Sequence, residues 1–176
     1  MNKQLDIFGG SISGYLIVIE PDHATSQKVV QLKQQLDTIF PLPEDVLHSK
    51  PHISLCYFEA NESSEELIKE KLTAITASLK PFTVVISGVE KWKNGTFILQ
   101  LIQNEALNYI QKELSHSFKG VTKTPHLTIA RTIPERILEQ VSPDYFDYQG
   151  DFICESILIL KKSPGKSYQT LSMIAF

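Results

Sequence analysis

The sequence predicts an α+β fold of two pseudo-symmetric lobes, each a mainly antiparallel sheet backed by helices, around a central cleft. Three observations predict it. The 176 residues suffice for one domain at about 150 residues each. Strand-like and helix-like patterns succeed one another along the whole chain. A strand, a helix and a second strand opening with Pro-His occur at residues 15–58 and again at 96–132, with the two strand-opening histidines 74 residues apart. That repeat describes two similar lobes of one compact unit rather than separable domains.

Each element has its own signal. Residues 15–20 (YLIVIE) are a near-continuous apolar run closed by Pro21, which reads as a buried strand. Over residues 22–40, Val29, Leu32, Leu36 and Ile39 recur at three- and four-residue spacing on one helix face, and Pro41 and Pro43 end it. Residues 52–58 (HISLCYF) read as a strand. Ser63 followed by Glu66 is a capping-box pattern ahead of a helix with the stripe Ile68, Leu72, Ile75 and Leu79. Strand patterns FTVVISGV and GTFILQLI flank a turn at Lys93-Asn94-Gly95. A helix over about 104–118 turns Leu107, Ile110 and Leu114 inward. A strand at 126–132 and a short helix near 134–141 follow. Two further strand candidates, FICESILIL and QTLSMIAF, close the chain on either side of the turn-like KKSPGKS.

Composition narrows the function. Apolar residues make up 42% and charged residues 21%, the balance of a globular chain. With 17 Lys and Arg against 20 Asp and Glu, the net charge of −3 argues against wrapping a long duplex. It leaves room for a pocket that takes one phosphate or one nucleotide end. No apolar run approaches the ~20 residues of a membrane span. The N-terminal MNKQLDIFGGSISG shows no secretion signal, so a cytoplasmic location is expected. Cys56 and Cys154 lie in apolar strands and read as buried thiols in a reducing compartment rather than a disulfide.

The chemistry is carried by two matched segments, Pro51-His52-Ile53-Ser54-Leu55 and Pro125-His126-Leu127-Thr128-Ile129. Each reads His, apolar, hydroxyl, apolar. On a strand, residues i and i+2 share a face, so each strand sets an imidazole beside a hydroxyl and anchors its other face in the core. Chance is a poor explanation. Ser and Thr number 27 of the 176 residues. A given His then meets the pattern with probability roughly 0.03, and two matches among five His are on the order of one in a hundred. The other histidines read differently. His23 is near a helix start, His116 suits a helix C-terminus, and Pro51 prevents His48 and His52 from sharing a helical metal site. No third ligand stands at zinc spacing, so neither a metal nor another cofactor is expected.

The paired His-x-Ser/Thr strands resemble the 2H phosphoesterase superfamily, in particular its 2′-5′ RNA ligase-like and cyclic phosphodiesterase members. The resemblance takes residues 1–176 as a single two-lobed domain and includes the KKSPGKSY-type connection between the closing strands. Residues 125–131 (PHLTIAR) look like the family's second motif with its trailing Arg, while Ser54 stands where Thr is more usual. The resemblance implies metal-independent phosphoester chemistry on a 2′,3′-cyclic phosphate or a 2′-5′ linkage. The implied partner is an RNA terminus or a cyclic nucleotide.

These residue types suit that chemistry. In-line attack at phosphorus needs one group to take a proton and another to give one, and histidine's pKa of ~6.5 serves both. His52 and His126 are the expected acid/base pair, and near-symmetry of the motifs leaves open which is which. Ser54 and Thr128 are the expected phosphate ligands. Arg131 lies five residues past His126, so strict alternation turns it away from the imidazole. The resemblance nevertheless implies that it meets phosphate, which needs a bulge or strand end. Tyr57 and Tyr168 are weaker substrate-binding candidates, as stacking platforms or as ordinary strand packing. Trp92, Lys93, Lys161 and Lys162 are candidates for stacking on or steering a nucleic-acid end. The alternatives are a non-catalytic nucleotide- or RNA-end-binding module and a hydrolase with Ser54 as nucleophile; the second lacks the Gly-x-Ser-x-Gly elbow. Hydrolysis or ligation stays open, and a monomer is expected.

Overall fold

The computed structural model describes residues 10–176. The expectation about a secretion signal rests largely on residues 1–9 and lies outside them. Among the described residues no helix is long and apolar enough to cross a membrane.

Strand β1 (Ile12–Ile19) starts three residues before the apolar run because it is a central strand, paired on one side with β2 (Ile53–Asn61) and on the other with β7 (Ser156–Lys162). Helix α1 (His23–Ile39) is capped by Asp22, whose carboxylate accepts the Thr25 N–H at 2.8 Å. Val29, Leu32 and Leu36 are buried as their spacing predicts. Ile39 is not: it is 54% exposed, and Phe40, just past the helix, packs on the core instead. Lys33 is the other departure, a lysine buried on the apolar face. A one-turn helix, α2 (Glu44–Leu47), follows Pro43 where no periodic pattern marks one.

The capping box at Ser63 and Glu66 does not form. Asn61 acts first, accepting from the Ser63 N–H at 2.9 Å and from its hydroxyl at 2.8 Å. That local bond makes a 3₁₀ turn at Glu62–Ser64, and α3 (Glu65–Thr76) begins after it, leaving Glu66 to pair with Lys69. Strands β3 (Phe82–Trp92) and β4 (Thr96–Ile102) form the expected hairpin, with Gly95 at φ +80° in its turn. Helix α4 (Glu105–Phe118) is capped by Asn104, whose side chain accepts from the Leu107 N–H. Strand β5 (His126–Ala130), the short α5 (Glu135–Gln140), β6 (Gln149–Cys154) and β8 (Gln169–Ala175) complete the chain.

The run FICESILIL, expected as one strand, is two. Residues up to Cys154 belong to β6 on β3, and those from Ser156 belong to β7 on β1, with Glu155 alone between them. The sheet runs β6-β3-β4-β5-β2-β1-β7-β8, antiparallel throughout. In a flat sheet β6 and β7 would stand six ladder steps, roughly 29 Å, apart. One intervening residue spans at most about 8 Å. The sheet therefore curls until its two ends meet. Phe82 stacks on Phe176 at 5.9 Å across that seam, and the Phe176 N–H donates to the Glu155 carbonyl.

Two four-stranded halves, β6-β3-β4-β5 and β2-β1-β7-β8, thus form one sheet, joined through the single pair Ile53 and Leu127. One buried cluster runs under both halves. Helix α1 packs on β5 and α4 packs on β2, so each long helix leans on the motif strand of the opposite half.

Candidate active site

The join between the halves falls inside the two motifs. Ile53 and Leu127, both fully buried, face each other across antiparallel strands. Continuing that register sets His52 opposite Thr128 and Ser54 opposite His126. Burial agrees: Ile53, Leu55, Leu127 and Ile129 point into the core, while His52, Ser54, His126 and Thr128 are half-buried on the other face. The structure brings these four expected residues together as a crossed square, each imidazole flanked by a hydroxyl along its strand and another across it.

Both imidazoles are held in the same way. His52 Nδ1 lies 2.9 Å from the Lys50 carbonyl oxygen, and His126 Nδ1 lies 2.7 Å from that of Thr124. A carbonyl only accepts, so each ring carries its proton on Nδ1 and keeps Nε2 for a ligand. Burial pushes the His126 imidazole below the usual histidine value. The bond to Thr124 opposes that, the charges of Lys123 and His52 add to it, and Glu90 opposes it. Trp92 meets the His126 ring edge-on, with centroids 4.6 Å apart and planes at 63°.

A β-bulge sits at the same place in both motifs. In β2, Ser54 pairs with Val18 and Cys56 with Ile17, which leaves Leu55 as the extra residue. In β5, Thr128 pairs with Ile98 and Ala130 with Phe97, which leaves Ile129 extra. Each bulge lies three residues past its histidine and reverses the alternation beyond it. Tyr57, five residues past His52, therefore takes the hydroxyl face instead of the core face, and Arg131, five past His126, would share that parity were β5 to continue beyond Ala130. Tyr57 is half-buried there and donates to Glu59 Oε1 at 2.9 Å. A Cβ at Gly14 on the neighbouring strand would come within 3.0 Å of the Tyr57 hydroxyl, so glycine leaves room for that ring. Arg131 is exposed, one residue beyond β5.

Tyr168 is 40% exposed under the Lys162 ammonium, which lies 5.5 Å from its ring centroid. Burial raises the Tyr57 phenol above its ordinary value, followed by its bond to Glu59, the Glu59 charge and, last, the charge of Tyr168. Lys93 is exposed in its turn. Lys161 is engaged within the protein. It bonds Glu65 at 2.6 Å and Glu62 at 3.2 Å, beside Ser13 and the buried Tyr15, and ties α3 to the sheet. Cys56 and Cys154 are free and buried, and burial pushes their thiols up to about 11 and about 12. His48 pairs with Glu44 at 2.9 Å on the surface. Among the described residues no three His, Cys, Asp or Glu side chains gather as metal ligands.

Comparison with known proteins adds to this geometry. A family model described as the 2′-5′ RNA ligase superfamily matches residues 20–166. None of the curated proteins matches the chain in sequence. Among solved structures, E. coli LigT in its apo form is similar with a TM-score of 0.72 and 15% identity, over 94% of this chain and 98% of that one. LigT complexed with 3′-AMP gives a TM-score of 0.68 and 14% identity, over 94% and 99%. A Thermus thermophilus protein gives 0.69 and 15%, over 92% and 97%. At these identities the likeness is one of fold.

Proposed function

The chain belongs to the 2′-5′ RNA ligase superfamily, and from that premise we propose that it is a metal-independent phosphoesterase acting on a 2′,3′-cyclic phosphate or a 2′-5′ linkage of RNA or a nucleotide. One observation carries the reading: two imidazoles, each fixed by an Nδ1–H bond to a carbonyl two residues back, share a sheet face with two hydroxyls.

For a cyclic phosphate the reaction balances with these groups alone. The burial that lowers the His126 pKa favours its neutral form, the form a base needs, so His126 takes the proton of the attacking water through Nε2. The water oxygen bonds to phosphorus while the opposite ribose oxygen leaves and takes a proton from His52. Ser54 and Thr128 donate to the non-bridging oxygens as charge builds there. Solvent then returns His126 to its neutral form and His52 to its protonated form. In the ligation direction the same pair exchanges roles. Arg131 contributes a charge for phosphate, and Tyr57 and Tyr168 contribute aromatic surface for a base. E. coli LigT has been crystallised with 3′-AMP, ATP and NADP+, which supports a nucleotide as the ligand class.

The test is turnover of 2′,3′-cyclic mononucleotides and 2′-5′-linked dinucleotides in EDTA, with the product isomer identified, beside His126→Ala. Turnover in EDTA that the substitution abolishes supports the reading. Nucleotide binding without turnover on any of these substrates replaces it with a binding module.

A further inference from the structure

Behind each histidine stands a second, matched bond. Lys33 of α1 donates through Nζ to the Ser49 carbonyl at 2.6 Å, to the Ser49 hydroxyl at 2.7 Å and to the Val46 carbonyl at 3.1 Å. Gln111 of α4 donates through Nε2 to the Lys123 carbonyl at 2.7 Å. Ser49 is three residues before His52, and Lys123 is three residues before His126. In each half, then, a helix side chain holds the carbonyl at −3 and the imidazole takes the carbonyl at −2.

The residue between these carbonyls and the histidine is proline in both halves, Pro51 and Pro125. Proline fixes its own φ and restricts the residue before it to extended backbone. Once the −3 carbonyl is pinned, little freedom remains in the direction of the −2 carbonyl that receives the Nδ1–H. A lysine buried on an apolar helix face is costly, and burial, with the Arg131 charge adding to it, lowers the Lys33 ammonium to about 8. All three of its bonds go to the segment ahead of His52, which accounts for a cation in that place.

We infer that Lys33 and Gln111 are matched positioning residues, which set the ring orientation and Nδ1–H tautomer of His52 and His126 through the carbonyls ahead of them. For turnover this inference rests on the proposed phosphoesterase reading. For the tautomers it does not.

The experiment is ¹⁵N–¹H correlation of the imidazoles in the full chain at about pH 7.5, above the ordinary histidine pKa of ~6.5 and below the value of about 8 at which Lys33 loses its proton. The wild type should show a protonated Nδ1 and a bare Nε2 at both His52 and His126. Gln111→Leu and the isosteric Gln111→Glu, which cannot donate, should move His126 toward the Nε2–H tautomer and leave His52 unchanged. Gln111→Lys, which keeps a donor as the other half does, should retain the wild-type signals. Lys33→Met should act on His52 alone. If its unpaired carbonyls prevent folding, the Gln111 variants decide. On any substrate turned over, kcat should fall roughly 10- to 100-fold in the non-donating variants with little change in KM. Unchanged His126 signals in folded Gln111→Leu would overturn the inference. Absence of turnover on every substrate would instead count against the phosphoesterase reading and leave the tautomer result standing.

Discussion

Leu55 and Ile129 occupy the same place in their strands: each is the extra residue of a bulge, three positions past a histidine. The bulges give Tyr57 and Arg131 the same count from their histidines; Tyr57 lies within β2 on the face that carries the imidazoles, and Arg131 stands one residue past the end of β5. One half offers that position a phenol, and the other offers it a guanidinium.

Arg131 is therefore expected to serve binding. Arg131→Ala should raise KM for a cyclic nucleotide about ten- to a hundredfold, the scale of a lost charged hydrogen bond, with a smaller effect on kcat. An unchanged KM would place Arg131 outside the site.

The hydroxyls should behave differently. In the proposed mechanism Ser54→Ala and Thr128→Val remove donors to oxygens that gain charge during reaction, so kcat should fall roughly 10²–10³-fold with the melting temperature held. A loss confined to KM would make them ground-state ligands only.

His126 also links stability to pH. Burial lowers its folded pKa below the unfolded value of ~6.5, so the unfolded chain binds more protons between the two. Its contribution is complete above that unfolded value and is lost progressively as the pH falls toward the folded pKa. Urea unfolding between pH 7.5 and 5 should show a stability decline that is shallower in His126→Gln. Equal slopes would contradict the burial argument.

The ion cluster away from the site titrates at lower pH. The Ser13 hydroxyl, then Ser11 and Lys161, hold the Glu62 carboxyl down to about 2. With the folded pKa below the unfolded one, its contribution is present above about 4.5 and disappears as pH falls through 2. Glu62→Gln should melt below the wild type at pH 7, and the gap should close on acidification. A gap at pH 2 as large as that at pH 7 would point to lost packing instead.

The motifs were legible because period two and a repeated Pro-His make a pattern that survives without partners. The two halves followed from the same repeat. The bulges were not legible: an extra residue shows only against the ladder of a neighbouring strand, and the continuous apolar run Leu55-Cys56-Tyr57-Phe58 assigns no residue to either face. The change of strand partner at Glu155 is marked only by the polar pair Glu155-Ser156, which reads equally as a solvent-facing position within one strand. Lys33 reads as a solvated lysine until α1 is laid against residues 46–49, where loop carbonyls supply its partners. Asn61 displaced the Ser63 cap by a local bond that sequence spacing ranks no higher than the box it replaced.

The central claim is that two histidines divide acid and base between them, and the pH dependence of kcat/KM on a 2′,3′-cyclic nucleotide in EDTA tests it most directly. The wild type should give a bell, and each of His52→Ala and His126→Ala should lose one limb and roughly 10²–10⁴ in rate. A rate flat from pH 5 to 9, or either variant turning over like the wild type, would contradict it.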